Sequence, residues 1–516
     1  MTSSTASALG LGLLAIISAC GSELEVEPPE PMTADGGMTR PDANPEPEAG
    51  TPDARVDGSE PMPAPSYEPS FRSGTRLEAR VWTSDGGDVG MFDTFFDTEL
   101  GVPCRFQHAT DGTIRCLPQS RFDAVGELFL DAACTEPVYF QTRSECGLVE
   151  FFSRTAGPPG CDLGNVQEVL RLTPTERPGQ IYRRQFDESC QGPNVFTEGA
   201  PFDGEVVAPT EFVRGEIRDF ANEGQAGVRI LESDDGARRV LGAYDPRHEL
   251  GCDRRGFDGS GLRCMTQPMT RIDQFWFRDD QCDTPLAWTH ARASQCAPPA
   301  FGLRWTRGSA TPELVRVGER YAGTGYTSTE CRGVAADEID LWTLWEPSRD
   351  ASPSELLAVQ DVPTGGPVAA NYLAAEDGTP LYPWSFFDRE RSAACEPRMF
   401  SDGQVRCVGI DAIRNSQNLF ADPTCTQPVG LQSAHRVAEG APSMATLEDV
   451  DLCAPLGNFG VIEDAYEVGA EHRGDVYLFS GGTCEPTEPA PDSRMFLVGP
   501  SIRSALQRLT TIPAGR

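Results

Sequence analysis

A cassette of three cysteines recurs three times along this chain, and it limits the folds open to everything around it. The copies read FDTELGVPC, DGTIRC and FLDAACTEP between residues 96 and 137; YDPRHELGC, DGSGLRC and FRDDQCDTP between 244 and 285; FDRERSAAC, DGQVRC and FADPTCTQP between 387 and 428. The cysteines are Cys104, Cys116 and Cys134, then Cys252, Cys264 and Cys282, then Cys395, Cys407 and Cys425, with gaps of 12 and 18 residues in every copy. Asp97, Asp245 and Asp388 stand seven residues ahead of the first cysteine. Arg115, Arg263 and Arg406 directly precede the second, and Asp131, Asp279 and Asp422 lie three residues before the third. Chance does not keep such spacing. The chain reads as an internal triplication with a period of 143 to 148 residues, longer than common solenoid repeats and sufficient for a small domain or two propeller blades.

Between the cassettes, short runs such as RLEARVW (76–82), GELFLDA (126–132) and LVEFFSR (148–154) alternate with DGG, TDG, GPPG and RPG. Period-two alternation bounded by such turns is the pattern of antiparallel strands and hairpins. With 52 glycines, 43 prolines and a hydrophobic share of 39%, the chain reads as many short strands joined by turns. Helical patterning is nearly absent; SIRSALQRL (501–509) is the one candidate, and it also fits a strand. About four strands precede and four follow the middle of each unit. The sequence therefore predicts an all-β fold of three repeats, with a six-bladed β-propeller, two blades per repeat, as the leading architecture because closure removes edge strands. Three tandem β-sandwich-like modules are the alternative. The units are drawn at 71–215, 216–352 and 353–516.

Ahead of these units, residues 9–19 (LGLGLLAIISA) form an apolar run too short to cross a bilayer and of the length of a signal-peptide core. It ends in ISAC at residues 17–20. This stretch resembles the lipobox of bacterial lipoproteins. The resemblance implies a signal peptide at 1–19, lipidation of Cys20 and a membrane anchor through that lipid, with Gly21 leaning towards the outer membrane, on its periplasmic or cell-surface face. Residues 21–70 hold eleven prolines, twelve acidic residues and two arginines. Such a composition cannot bury enough surface to fold, and residues 20–70 read as an acidic, extended tether.

Apart from Cys20 there are sixteen cysteines: the nine of the cassettes together with Cys146, Cys161, Cys190, Cys296, Cys331, Cys453 and Cys484. An even number suits disulfides in an oxidising compartment. Each 12-residue gap flanks an Asp-Gly or Asp-Gly-Ser turn, so the first two cysteines could lie across one hairpin; the remaining connectivity is open. No CxxC knuckle and no histidine pair at ligand spacing accompanies them, so neither metal nor cofactor is expected.

Charge and motif narrow the function further. The formal net charge is −35, which argues against nucleic acid as a partner, since phosphate binding needs clustered positive charge. All 43 basic residues are arginine, which excludes Schiff-base lysine chemistry and a Walker lysine. There is no GxSxG, HExxH or GxGxxG opening a helix. The repeated aspartates and arginines are expected to serve turns and ion pairs, because residues kept in all three units suit the fold better than a single catalytic site. Six of the seven tryptophans, Trp276, Trp288, Trp305, Trp342, Trp345 and Trp384, fall in the second unit and its junction with the third. Core filling is their default role, and an aromatic face for a glycan would look the same. The reading leans away from an enzyme: an envelope-anchored, disulfide-rich binding or scaffolding protein, with an envelope protein or glycan as ligand. The alternative is an extracytoplasmic glycan hydrolase or lyase on a propeller face.

Overall fold

A computed structural model describes residues 70–514 apart from 85–90, 121–123, 142–146, 161–163, 176–179, 185–188, 195–199, 222–224, 258–259, 268–269, 273–274, 291–297, 305–311, 328–330, 336–341, 434–441, 451–459, 481 and 489–492. Cys20, the signal segment and most of the tether lie outside the described residues. The rest is all-β, and its helical elements, among the described residues, are the short 3-10 turns Pro209–Glu211, Pro353–Glu355 and Arg503–Ala505. Strand formation follows the alternation of the sequence. In Leu77–Ser84 the side chains of Leu77, Ala79 and Val81 are buried while Glu78, Arg80 and Trp82 face partly outward.

The strands are not distributed over six separate four-stranded sheets, nor over three independent sandwiches. Fifteen of them form one hydrogen-bonded circuit to which every unit contributes. Its order is Arg238–Asp245, Gly227–Ser233, Arg214–Phe220, Ile114–Pro118, Val102–His108, Met91–Asp97, Leu77–Ser84, Arg508–Pro513, Val405–Gly409, Ala393–Met399, Pro380–Asp388, Val368–Ala375, Leu357–Pro363, Gly261–Thr266 and Leu250–Phe257. The last pairs back onto the first through Ala243↔Cys252, Tyr244↔Gly251 and Asp245↔Leu250. The short strand Phe71–Arg72 lies beside the start of Arg238–Asp245. The strand Arg214–Phe220 crosses the boundary drawn from sequence at 215/216.

The circuit repeats itself every five strands. In each cassette the third strand pairs with the fourth over three residues next to their turn: Phe95–Asp97 with Val102–Cys104, Ala243–Asp245 with Leu250–Cys252, and Phe386–Asp388 with Ala393–Cys395. The fifth strand then meets the strand on which the chain returns to the ring through two pairs, Arg115↔Arg214, Arg263↔Ala358 and Arg406↔Arg508 being one of each; Leu357–Pro363 lies beyond the boundary drawn from sequence at 352/353. Thus Arg508–Pro513 takes the place that Arg214–Phe220 and Leu357–Pro363 take elsewhere, and it closes the circuit by pairing with Leu77–Ser84. The third strands also approach one another: Pro380–Asp388 touches both Met91–Asp97 and Arg238–Asp245. Next to it, Val368–Ala375 is buried along its entire length.

Within the ring, three of the buried clusters match one another. One joins Leu77, Phe95, Cys104, Phe106 and Cys116 to Leu231 and Ala237 of the second unit. Another joins Cys252 and Cys264 to Leu373, Ala375 and Leu381 of the third. The last joins Phe386, Cys395, Cys407 and Leu509 to Trp82 and Met91 of the first. Each unit therefore completes its core with side chains of the next, and the arrangement runs in a cycle.

Between the fifth strand and the returning strand, each unit inserts a satellite of further strands. In the second unit Thr270–Ile272, Ala287–His290, Trp342–Asp350, Glu313–Arg320 and Phe301–Arg304 form a closed barrel, flanked by Trp276–Phe277, Thr324–Thr327 and Gly333–Ala335. In the third, Ile413–Phe420, Pro428–Ser433, Ser493–Ser501, Gly460–His472 and Ala445–Val450 close in the same order, with the hairpin Val476–Ser480 and Thr483–Thr487 attached. The first satellite has a seven-stranded sheet of corresponding strands. The expectation of about eight strands per unit was too low because the satellite strands range from two residues, as in Trp276–Phe277, to thirteen, as in Gly460–His472, and several carry register shifts that interrupt the period-two pattern.

Candidate functional site

Each cassette builds three turns, and the repeated aspartates sit at them. The first pair of cysteines bridges a hairpin: Cys104–Cys116, Cys252–Cys264 and Cys395–Cys407 are disulfides with Cα atoms 5.3, 5.2 and 5.3 Å apart. The third cysteine reaches forward to the satellite hairpin, as Cys134–Cys190, Cys282–Cys331 and Cys425–Cys484. Cys146, Cys161, Cys296 and Cys453 lie outside the described residues.

Asp97, Asp245 and Asp388 end the third ring strands and are buried. The Asp97 carboxylate accepts from the backbone N–H groups of Glu99 and Leu100 at 3.0 and 3.2 Å and from Arg76 Nη2 at 2.8 Å. Asp245 accepts from the N–H of Arg247 at 2.9 Å and lies 3.0 Å from its Nη2 and 3.1 Å from His248 Nδ1. Asp388 accepts from the N–H and Nη1 of Arg391 at 3.1 and 2.7 Å. Burial alone would raise the Asp245 carboxyl; the hydrogen bonds from Arg247 and His248 outweigh it and hold the group below its ordinary value. Arg76 and Arg391 also donate to the carbonyls of Glu211 and Ala505, at 2.9 and 3.4 Å, fastening the hairpin turn to the 3-10 turn of the same unit.

The second and third sets do similar work. Arg115 pairs with Asp111 at 2.8 Å and donates to the Phe212 carbonyl at 2.7 Å. Arg406 pairs with Asp402 at 2.8 Å and lies 4.8 Å from the centre of the Phe400 ring. The carboxyl of Asp402 is held well below the usual range by Arg406, with Arg503 adding to it. For Arg263 the matching aspartate, Asp258, lies outside the described residues. Asp131 accepts from the N–H groups of Ala133, Thr135 and Glu136, Asp279 from Gln281, Asp283 and Thr284, and Asp422 from Thr424, Thr426 and Gln427. These bonds wrap the chain so tightly that Cys134, Cys282 and Cys425 take positive φ values of 52, 58 and 52°, a conformation that non-glycine residues seldom adopt. All three carboxyls are held below their ordinary value: Asp131 and Asp279 first by backbone N–H groups, Asp422 first by the Thr424 hydroxyl. The bonds named here run to groups of the same unit and do not converge on a shared pocket.

Features that depart from the three-fold pattern stand out against this background. One is an ion pair at the junction of the second and third units. Arg254 lies 3.7 Å from the centre of the Trp384 ring and 3.1 Å from Asp361, which accepts from the Trp384 indole at 3.0 Å. Burial pushes the Asp361 carboxyl up, against the pull of Arg254. A small cleft lies where Ser73–Arg76 meet Pro513 and Ala514; Gly74 is required there, because a Cβ would collide with the Asp235 carboxylate.

The other departure is aromatic. In the second satellite Trp276 is buried, Trp288 and Trp342 are half-buried, and Phe275 is 44% exposed. Trp288 and Trp342 meet edge to face with ring centres 4.6 Å apart, and Phe275 lies 5.7, 6.0 and 6.4 Å from Trp276, Trp288 and Trp342. Trp345, by contrast, belongs to the barrel core, its indole donating to Thr289 Oγ1 at 3.0 Å. Trp305 lies outside the described residues. Sequence reasoning singled out the tryptophans but missed Phe275. The signal was available: seven residues before the third cassette cysteine, the other copies carry Glu127 and Asn418.

No curated protein and no solved structure matches the chain. A family model described as a family of unknown function, DUF7481, matches residues 66–326, which run through the first unit and most of the second. That match spans half of the sequence, and the chain belongs to the DUF7481 family.

Proposed function

We propose that this protein is an envelope lipoprotein, anchored through Cys20 at the outer membrane, whose β ring carries binding or scaffolding surfaces and performs no catalysis. The observation that carries the binding reading is the division of labour among polar residues. Apart from Arg263, whose matching Asp258 lies outside the described residues, the recurring carboxylates and guanidinium groups are engaged in turns and ion pairs, whereas the departure from recurrence on the surface of the second satellite is aromatic. Catalysis by paired carboxylates would need two such groups left facing a common cleft. Six disulfides support an oxidising, extracytoplasmic setting, and the lipobox-like ISAC followed by an acidic, proline-rich tether supports anchoring at a distance from the membrane.

The test is non-reducing peptide mapping by mass spectrometry on protein extracted from membranes of the producing cell. A diacylglyceryl group on an amino-terminal Cys20 together with intact cassette disulfides is expected. An unmodified Cys20 in a soluble fraction, with free cassette thiols, would overturn the anchor and the compartment together.

A further inference from the structure

We propose that the Phe275 face of the second satellite is a subsite for a neutral sugar ring, an inference that rests on the binding function above and names its ligand class. Symmetry supplies the first argument. A residue serving only the satellite fold should recur, and the buried ring next to it does so in kind: Trp276 corresponds to Leu128 and Leu419, apolar in all copies. Phe275 corresponds to Glu127 and Asn418, so neither of the other copies places an apolar group there. Likewise Trp342 pairs with His290 as Ser493 pairs with Ser433 in the third satellite. The second unit thus carries rings where the other two copies have Glu127 and Asn418 and where the third has Ser493.

Geometry and charge then restrict the occupant. The Phe275 ring meets Trp276 and Trp342 edge to face and Trp288 at a tilt, at 5.7 to 6.4 Å, so its position is set by the indoles around it, which lowers the ordering cost of binding. A stable protein interface needs roughly 800 Å² per partner, while an aromatic side chain offers only about 150–250 Å² even when wholly exposed. One ring exposed by 44% and two half-buried indoles fall short of that, and match a ligand the size of one sugar ring. A pyranose has an apolar C–H face that stacks on such a ring and an equator of hydroxyls that needs hydrogen-bonding groups beside it. Arg278 and Glu346, an exposed pair 3.6 Å apart, supply both donor and acceptor. They adjoin the patch through Tyr321, which packs with the tryptophans and whose hydroxyl donates to the Arg278 carbonyl at 3.5 Å. The net charge of −35 disfavours phosphorylated or uronic sugars, which leaves neutral ones.

The experiment titrates the full-length protein with neutral oligosaccharides of glucose, mannose, xylose and N-acetylglucosamine, reading tryptophan fluorescence and calorimetric heats, with chromatography of the glycan after incubation. At least one of these should bind with quenching of fluorescence, and Phe275→Ala should weaken it tenfold or more without moving the thermal transition. Phe479→Ala, which removes a comparably exposed ring from the third satellite, should leave binding unchanged. Glycan binding that survives Phe275→Ala overturns the subsite and leaves the binding function standing. Cleaved glycan in the chromatogram overturns the non-catalytic reading instead. Failure of every neutral glycan to bind, or binding to phospholipid vesicles that Phe275→Ala abolishes, overturns the sugar assignment.

Discussion

At the scale of single residues, the recurring aspartates divide into buried carboxylates paired with a cation and half-buried ones held by backbone N–H groups and threonine hydroxyls. Asp97 is fully buried and holds Arg76, which is itself about one-quarter exposed. Replacing it by alanine removes the ion pair and leaves the N–H groups of Glu99 and Leu100 without their acceptor. The expected cost is about 3 kcal/mol, at the lower end for a buried pair because Arg76 regains some water; the measurement is the shift of the urea midpoint at constant slope. Asp422 behaves differently with pH. Its folded-state carboxyl is held below the unfolded value by the Thr424 hydroxyl and backbone donors, so its contribution is present above the unfolded value and is lost as pH falls through the folded one. Asp422→Asn should therefore destabilise the protein at neutral pH and lose that effect once the wild-type carboxylate is protonated. A difference that persists unchanged in strong acid would show that the turn depends on side-chain shape and not on charge. Asp361 has the opposite sign: burial raises its carboxyl, so acidification removes a cost at that position.

At the scale of elements, the two kinds of disulfide close loops of different length and should differ in effect. Cys104–Cys116 spans 12 residues and Cys134–Cys190 spans 56. In the chain-entropy account these correspond to about 3 and about 4 kcal/mol. The shorter bridge is also core: Cys104 and Cys116 are buried against Phe95 and Leu231, so the double alanine variant loses packing as well and should approach the longer bridge in total cost. Comparing the two double variants by thermal unfolding checks this; a Cys104/Cys116 variant that loses no more than the bridge's own share of about 3 kcal/mol would show that packing contributes nothing. The hairpin bridge was legible in the sequence because a turn signal sits midway in a 12-residue gap. The forward partners Cys190, Cys331 and Cys484 were not, since their separations of 56, 49 and 59 residues vary. The cation beside each buried aspartate was hidden for the same reason: Arg76 lies 21 residues before Asp97, whereas Arg247 and Arg391 follow their partners by two and three. A shared three-dimensional place reached from different sequence positions leaves no periodic mark.

For the whole molecule, three-fold construction means that the chain ends interrupt a ring which elsewhere continues through a loop. The strands Arg214–Phe220 and Gly227–Ser233 pair over six residues, and Leu357–Pro363 pairs with Val368–Ala375 over five. Arg508–Pro513 and Leu77–Ser84 make the corresponding contact over five residues with no connection between them. The ends are already close, for the Ser73 hydroxyl donates to the Ala514 carbonyl at 3.0 Å. All-β character was legible in the alternation; closure was not, because it depends on a C-terminal strand pairing with an N-terminal one some 430 residues away. If closure organises the fold, the position of the break should be immaterial. A permutant of the globular part that joins Ala514 to Ser73 by a short flexible linker, and opens the chain between Phe220 and Gly227, should keep the same six disulfides and unfold within about 1 kcal/mol of the parent. Deleting Arg508–Pro513 from the parent should do the reverse, baring the edges of Leu77–Ser84 and Val405–Gly409 and driving association through them. Peptide mapping and light scattering on the two variants decide the matter: a permutant that associates as the deletion does would mean that the ends carry structure the other two junctions lack.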